Sequence, residues 1–223
     1  MATMKKSIAS FLCICLTLAM LLTCAGCAGG GDKDKFVGEW EANVDMTDML
    51  NNMLASDPDT ADLADYIKID SYVLTLNFSF DKDGNYKIVI DRDALQQTSD
   101  ALLSTMKSGV LAYFENMLEE MAADEGVTVD EVFGALGVAN LEEFLAANDV
   151  DLDTMFDMDQ LLSAFDAVES SGTYDAKDGQ LRLTNSADDS IDIENYEFTS
   201  DTQVSLKDQT EDGELGDIVL VKK

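Results

Sequence analysis

The stretch DVDLDTMFDMDQ, which begins at Asp149, carries side chains whose spacing could bind a metal ion. Its carboxylates stand at positions 1, 3, 5 and 9 of a twelve-residue loop, as they do in the calcium loop of an EF-hand. That loop also needs a glycine at position 6 and a glutamate at position 12, where this chain has Thr154 and Gln160. We therefore interpret the aspartates as helix caps on a solvated face and predict no metal site. DKDG, from Asp81 to Gly84, is interpreted as a hairpin turn.

Side chains for other kinds of catalysis are scarce. The sequence has no histidine, and its four cysteines are Cys13, Cys15, Cys24 and Cys27. Histidine-based metal sites, Ser-His-Asp triads and thiol catalysis beyond the N-terminal segment are thereby excluded. Carboxylate pairs could support acid-base chemistry, but no pair stands out among 45 acidic residues. We expect no enzymatic activity and no cofactor.

Residues 1–26 have the composition of an export signal. Lys5 and Lys6 precede an apolar run from about Ile8 to Leu22, and small residues follow. The run is shorter than the roughly 20 residues that a membrane-spanning helix needs. The pattern predicts a signal peptide over 1–26 and an exported protein.

Cys27 follows the small residues Ala25 and Gly26, an arrangement that resembles the lipobox of bacterial lipoproteins. Cys24 stands where that family usually has leucine. The resemblance implies that Cys27 is lipidated with two or three acyl chains, enough for stable anchoring. We expect a protein held by lipid on the outer face of a bacterial membrane, with a flexible tether over 27–35. The alternative is an ordinary secreted protein with a stray cysteine.

The charge of the chain limits its partners. The formal net charge is −31. Nucleic acid is excluded as a partner because a phosphate backbone requires clustered Lys and Arg. An anionic membrane surface is repelled for the same reason, so membrane contact is expected through the anchor only. A basic protein of the envelope is a possible partner, and solubility is the alternative explanation of the charge.

Hydrophobic periodicity predicts a mainly β protein with an α insertion, an α+β fold. Alternating residues and turn signals indicate three strands with two short helices over 36–91, and five strands over 170–223. Helical spacing from about Asp93 to Glu125, followed by three shorter units, indicates a helical insertion over 92–169. Eight antiparallel strands can close into a barrel, which removes the exposed edges.

Several of these elements also occur, in the same order, in a known family. FVGEW in the first strand, with Gly38 and Trp40, resembles the opening of lipocalin-like and fatty-acid-binding barrels, in which Gly-x-Trp closes the barrel floor. FDKDGNY, GTY, DGQLRL, YEF and DTQVSL follow in the order found in small bacterial lipocalin-like lipoproteins. The resemblance covers about half of the mature chain and implies a lipocalin-like barrel, in which Gly38 and Trp40 are taken as structural.

Two functions are compatible with these observations. The first is binding of a small apolar molecule, for which flexible methionine side chains and inward strand residues would line the site. Those candidates are Tyr72, Leu74, Leu76, Phe78, Tyr86, Met106, Met117 and Met121. Alternatively, the methionines pack as ordinary core, and the acidic helical surface binds a basic envelope protein on a filled barrel scaffold.

Overall fold

The structure, a computed structural model, describes residues 31–58, 60–207 and 216–223. Eight antiparallel strands in these ranges form a closed barrel, in which each strand pairs with the next and the last pairs with the first. The strands are β1 (Gly38–Asp45), β2 (Val73–Phe80), β3 (Asn85–Ile90), β4 (Ser170–Lys177), β5 (Gln180–Asn185), β6 (Ile191–Ser200), β7 (Gln203–Leu206) and β8 (Ile218–Lys222). The predicted closed barrel with a helical segment is confirmed.

The alternating pattern of the sequence is visible in the burial of the strands. In β2 every second residue is buried, from Leu74 to Phe80, because one face of the strand meets the core. The hairpin from β2 to β3 turns at Gly84, whose φ of 91° favours glycine. Asp81 accepts a hydrogen bond from the Asn85 backbone N–H at 2.8 Å. The DKDG motif is thus a hairpin turn.

Seven α-helices lie in the described ranges. They are α1 (Lys33–Phe36), α2 (Thr47–Ser56), α3 (Arg92–Glu125), α4 (Val129–Leu136), α5 (Leu141–Ala147), α6 (Leu152–Met155) and α7 (Met158–Ala164), with 3-10 helices at Ala61–Leu63 and Phe165–Val168. The second short helix predicted before β2 is only the first of these 3-10 helices. Thr60, just before it, is buried, and its hydroxyl donates to the Leu54 carbonyl at 2.9 Å.

Local capping determines where most of these helices begin. Asp91 starts α3, Thr128 forms a complete capping box at α4, and the Asn140 side chain caps α5. Asp151 and Asp157 cap α6 and α7, so these two carboxylates of the EF-hand-like stretch bind backbone N–H groups. None of the helices described is long and apolar enough to cross a membrane.

The helices divide between the two ends of the barrel. Helix α1 precedes β1 and lies at the end that carries the β2–β3 hairpin, which we call the α1 end. Helices α2 and α3 follow β1 and β3, so they lie at the opposite end, the helical end. There the helical block, residues 92–169, is inserted between the paired strands β3 and β4. Arg92 forms ion pairs with Asp166 and Glu169 and so joins the two ends of the block.

The flexible tether predicted over 27–35 is wrong for residues 31–35. Gly31 forms a β-bridge with Lys177, and Lys33 to Lys35 belong to α1. The physical reason is Phe36, which is fully buried and brings α1 onto the barrel. A single aromatic residue does not form a periodic hydrophobic pattern, so the sequence carries no signal for helix α1.

Candidate functional site

The strand residues predicted to line a ligand all lie in the hydrophobic core. Tyr72, Leu74, Leu76, Phe78 and Tyr86 are between 1% and 7% exposed. They belong to one cluster that continues from the barrel into the helical block. The structure therefore brings these side chains together in one core, where they pack among other buried residues.

The three methionines assigned to the same site lie at different depths. Met106 is buried, Met117 is partly buried against the core, and Met121 is 53% exposed. The prediction that Met121 faces the ligand is wrong, because the buried stripe of α3 continues through Leu118 and Ala122 instead. The prediction placed Met117 and Met121 on the same face as Phe114, a step of three residues after it, whereas the buried face takes a step of four to Leu118 and so turns away from Met121.

Side chains from the helices close the helical end of the barrel. The Tyr72 ring stacks on Phe165 with 6.4 Å between centroids and an interplanar angle of 27°. Its hydroxyl lies 3.4 Å from the hydroxyl of Ser99, a fully buried residue of α3. The polar atoms at this end thus have partners, as buried groups require.

An aromatic cluster fills the α1 end. The Phe36 ring lies 4.9 Å from Tyr196 and 5.0 Å from Phe198, centroid to centroid. Trp40 is fully buried, and its indole N–H donates to the Phe36 carbonyl at 2.6 Å. Gly38, at a φ of 135°, lies beside the Lys222 side chain. Helix α1 therefore closes the floor of the barrel with its own side chain.

Two tyrosines connect this cluster to α1. The Tyr174 hydroxyl donates to the Lys33 carbonyl of α1 at 3.3 Å and to the Asp81 carbonyl of the β2–β3 turn at 3.0 Å. The Tyr196 hydroxyl donates to the carboxylate of Asp32, just before α1, at 3.0 Å. Burial raises the pKa of Tyr174 to about 12. Burial and the hydrogen bond to Asp32 also raise the pKa of Tyr196. The folded state therefore favours the neutral form of both phenols.

We expect the protein to lose stability at alkaline pH. An unfolded tyrosine ionises near pH 10, whereas folded Tyr174 resists ionisation up to about 12. The stabilising contribution is complete below about pH 10 and is lost as the pH rises toward the folded pKa. Urea unfolding at a series of pH values measures the loss, and Tyr174→Phe should make it smaller. A free energy of unfolding that is flat between about pH 9 and 11.5 would contradict the assignment.

A separate feature, an apolar groove, lies on the helical block. It has a volume of about 680 Å³ between α3, α4 and α5. Leu118 and Leu141 are buried at its floor, while Leu111, Val129 and Phe133 are partly exposed. The volume lies within the range of small-molecule and side-chain binding pockets, roughly 300–1,000 Å³. This groove is our candidate functional site.

Carboxylates surround this apolar surface. Glu115 and Glu119 on α3 and Glu142 on α5 line the groove and are exposed. The side chain of Asn140, also in the lining, accepts from the Glu143 backbone N–H at 2.9 Å and so fixes the start of α5. No cluster of three or more possible metal ligands occurs in the described ranges. The groove therefore offers an apolar floor and negative charge.

Comparison of the chain with protein-family models, with curated protein sequences and with solved structures gave no match.

The sequence reasoning missed the groove. In the three short helical units Phe133, Phe144 and Phe156 are 11 and 12 residues apart, a spacing that does not indicate the surroundings of Phe133. The available signal was that α4 places Val129 and Phe133 four residues apart, on one face of a short helix. That spacing identifies an apolar face of α4, but it does not show which helices pack beside this face or how much of it stays exposed.

Proposed function

We propose that this protein is a lipid-anchored interaction module of the bacterial cell envelope, whose acidic helical block binds a basic partner. The observation that carries the proposal is the composition of the block at the helical end. Residues 92–169 contain 18 acidic and 2 basic residues. Such a surface attracts cationic partners and speeds their association.

The position of the anchor supports this arrangement. Cys27, the proposed lipidation site, precedes Gly31 by four residues, which span at most about 14 Å of extended chain. Gly31 pairs with Lys177 at the α1 end, so the anchor holds this end near the membrane. The helical block lies at the opposite end and faces away from the bilayer. Its charge is thus kept away from anionic lipids.

The barrel acts in this proposal as a filled scaffold of lipocalin-like type. Its next-neighbour strand order and the place of Gly38 and Trp40 in β1 support the lipocalin-like assignment. A small apolar ligand inside it stays a prediction from the sequence. The strand side chains that would line such a ligand lie in one buried core cluster, and a ligand would have to displace Phe36 or Tyr72 from the two ends.

Charge reversal on the two parts of the molecule tests the proposed function. A chain of residues 28–223 should bind fluorescein-labelled oligolysine, with an affinity that falls as salt is added. Glu120→Lys, Asp124→Lys and Glu125→Lys together should weaken binding at least tenfold. The matched control, Glu39→Lys, Asp175→Lys and Asp201→Lys, changes the net charge equally on the barrel and should weaken binding less than twofold.

Equal loss in the two triple variants would show that binding follows net charge alone, and the proposal would then be wrong. Circular dichroism of both variants controls for folding.

The anchor is tested separately in the full-length chain. Cys27→Ser should abolish fatty-acid labelling and release the protein from the membrane fraction, whereas retention in that fraction would contradict lipidation at Cys27.

A further inference from the structure

We propose that the groove between α3, α4 and α5 is the docking site for a basic amphipathic helix of a partner protein. This inference rests on the proposed function and assigns it to one site. The occupant would place apolar side chains on the groove floor and Lys or Arg side chains against the carboxylates around it.

The apolar part of the groove has the form that a helical partner uses. Leu111 and Leu118 are two turns apart along α3, and Val129 and Phe133 are one turn apart along α4. Two rows of apolar side chains therefore face one space of about 680 Å³. An amphipathic helix binds such grooves through residues at spacings of three and four.

The charge of the groove selects a cationic occupant. Glu115 and Glu119 are one helical turn apart, so two negative charges are neighbours on the same face of α3. In the described ranges, neither their carboxylates nor that of Glu142 form a hydrogen bond or an ion pair. A Lys or Arg placed between them would relieve this repulsion, which gives a basic partner an advantage over a neutral one.

The distribution of the carboxylates favours a helix over a small cationic molecule. Glu115 and Glu119 belong to α3, whereas Glu142 belongs to α5. A molecule with a single cationic head could neutralise one side of the groove only. A basic amphipathic helix carries cations on both flanks of its apolar stripe, so it can reach both sides at once.

The walls of the groove are held by local contacts that do not depend on a partner. The Thr128 backbone N–H donates to the Glu131 carboxylate at 2.8 Å in the capping box of α4. The Glu143 carboxylate accepts from the Ala139 backbone N–H at 2.7 Å, just before α5. Because these caps fix the starts of α4 and α5 and involve none of the side chains substituted below, the groove variants leave them intact.

The test compares two fluorescein-labelled peptides of 18 residues that contain only leucine and lysine. One has its leucines at helical spacing on a single face, and the other has the same composition in a permuted order without such a face. The chain of residues 28–223 should bind the amphipathic peptide at least tenfold more tightly. Fluorescence anisotropy at several salt concentrations gives both dissociation constants.

Two groove variants should remove this preference. Phe133→Ser takes away an apolar wall and should weaken binding of the amphipathic peptide at least tenfold. Glu115→Gln, Glu119→Gln and Glu142→Gln together keep the side-chain size and should weaken it similarly while reducing the salt dependence. The controls are Val221→Ser on the outer face of β8 and the triple variant Glu39→Gln, Asp175→Asn and Asp201→Asn, which should each change binding less than twofold.

The outcomes separate this inference from the proposed function. Equal binding of the two peptides, or full binding by the glutamine variant, would overturn the groove as the site while oligolysine binding still supported an acidic interaction surface. Failure of all three cationic probes to bind would overturn both. Dodecyltrimethylammonium that displaces the amphipathic peptide at equal concentration would contradict the choice of a helix as occupant. If Phe133→Ser fails to fold, the glutamine variant alone decides.

Discussion

Replacing Phe36 with alanine is expected to lower the free energy of unfolding by about 4 kcal/mol. Phe36 has no exposed surface, and its ring contacts aromatic side chains from several strands of the barrel. The substitution would leave a cavity at the α1 end that Trp40 and Tyr196 cannot fill without losing their hydrogen bonds. The loss therefore combines the transfer of a phenyl ring and the cost of the cavity.

Equilibrium urea unfolding of the chain from residue 28 measures this change. Met121→Ala is the matched control, because it truncates a large apolar side chain that is 53% exposed, and it should change stability by less than about 0.5 kcal/mol. A loss below about 1 kcal/mol in Phe36→Ala would show that α1 does not close the barrel. It would also weaken the structural link between the proposed lipid anchor and the α1 end.

Replacing Gly172 with alanine is expected to cost about 3 kcal/mol, a large effect for the addition of one methyl group. Gly172 lies in β4 and pairs with Tyr86 of β3 and Asn185 of β5. A Cβ atom at this position would overlap the Thr184 carbonyl of the neighbouring strand. Since the obstacle is backbone in a closed barrel, it cannot rotate away as a side chain could.

The control for this substitution is Gly134→Ala in α4. No atom lies within 4 Å of a Cβ built there, and alanine is a better helix former than glycine. That variant should be stabilised by up to about 1 kcal/mol, so the two alanines are expected to act with opposite signs. Thermal unfolding of both variants measures the difference. A neutral Gly172→Ala would mean that β4 and β5 are further apart than the structure shows.

The strands and the long helix were predictable because their signals are local. Alternation from Leu74 to Phe80 requires one buried face, and the Asp83-Gly84 pair gives the turn. The caps are equally local: Thr128 and Glu131 have the three-residue spacing of a capping box, and α4 begins with that box. The sequence does not show why the GTY motif needs its glycine; the reason is the close approach of Thr184 to Gly172.

The candidate site was much less predictable than the fold. The sequence identified buried strand residues such as Leu76 correctly as inward-facing, but inward apolar residues are alike in a filled barrel and a hollow one. It selected Met121 from a periodicity that was one residue out of phase at the end of a helix of 34 residues. Along a helix the buried residues follow one another at steps of three or four, and the sequence does not show which step is taken at each turn. Only contact with a neighbouring element decides which face of the helix is buried near its end.

By itself, the sequence determined the period of the strands and of the longer helices, the turns and caps between them, and the acidic character of residues 92–169. These properties depend on residues that are close together in the chain. Tertiary structure alone decided that Phe36 closes the barrel, that the helical block lies opposite the α1 end, and that Leu111, Phe133 and Leu141 border one groove. Each of these features depends on which surfaces, distant in the chain, meet when apolar area is buried. Because hydrophobic burial is non-directional, no local sequence pattern specifies which surface a given apolar face will contact.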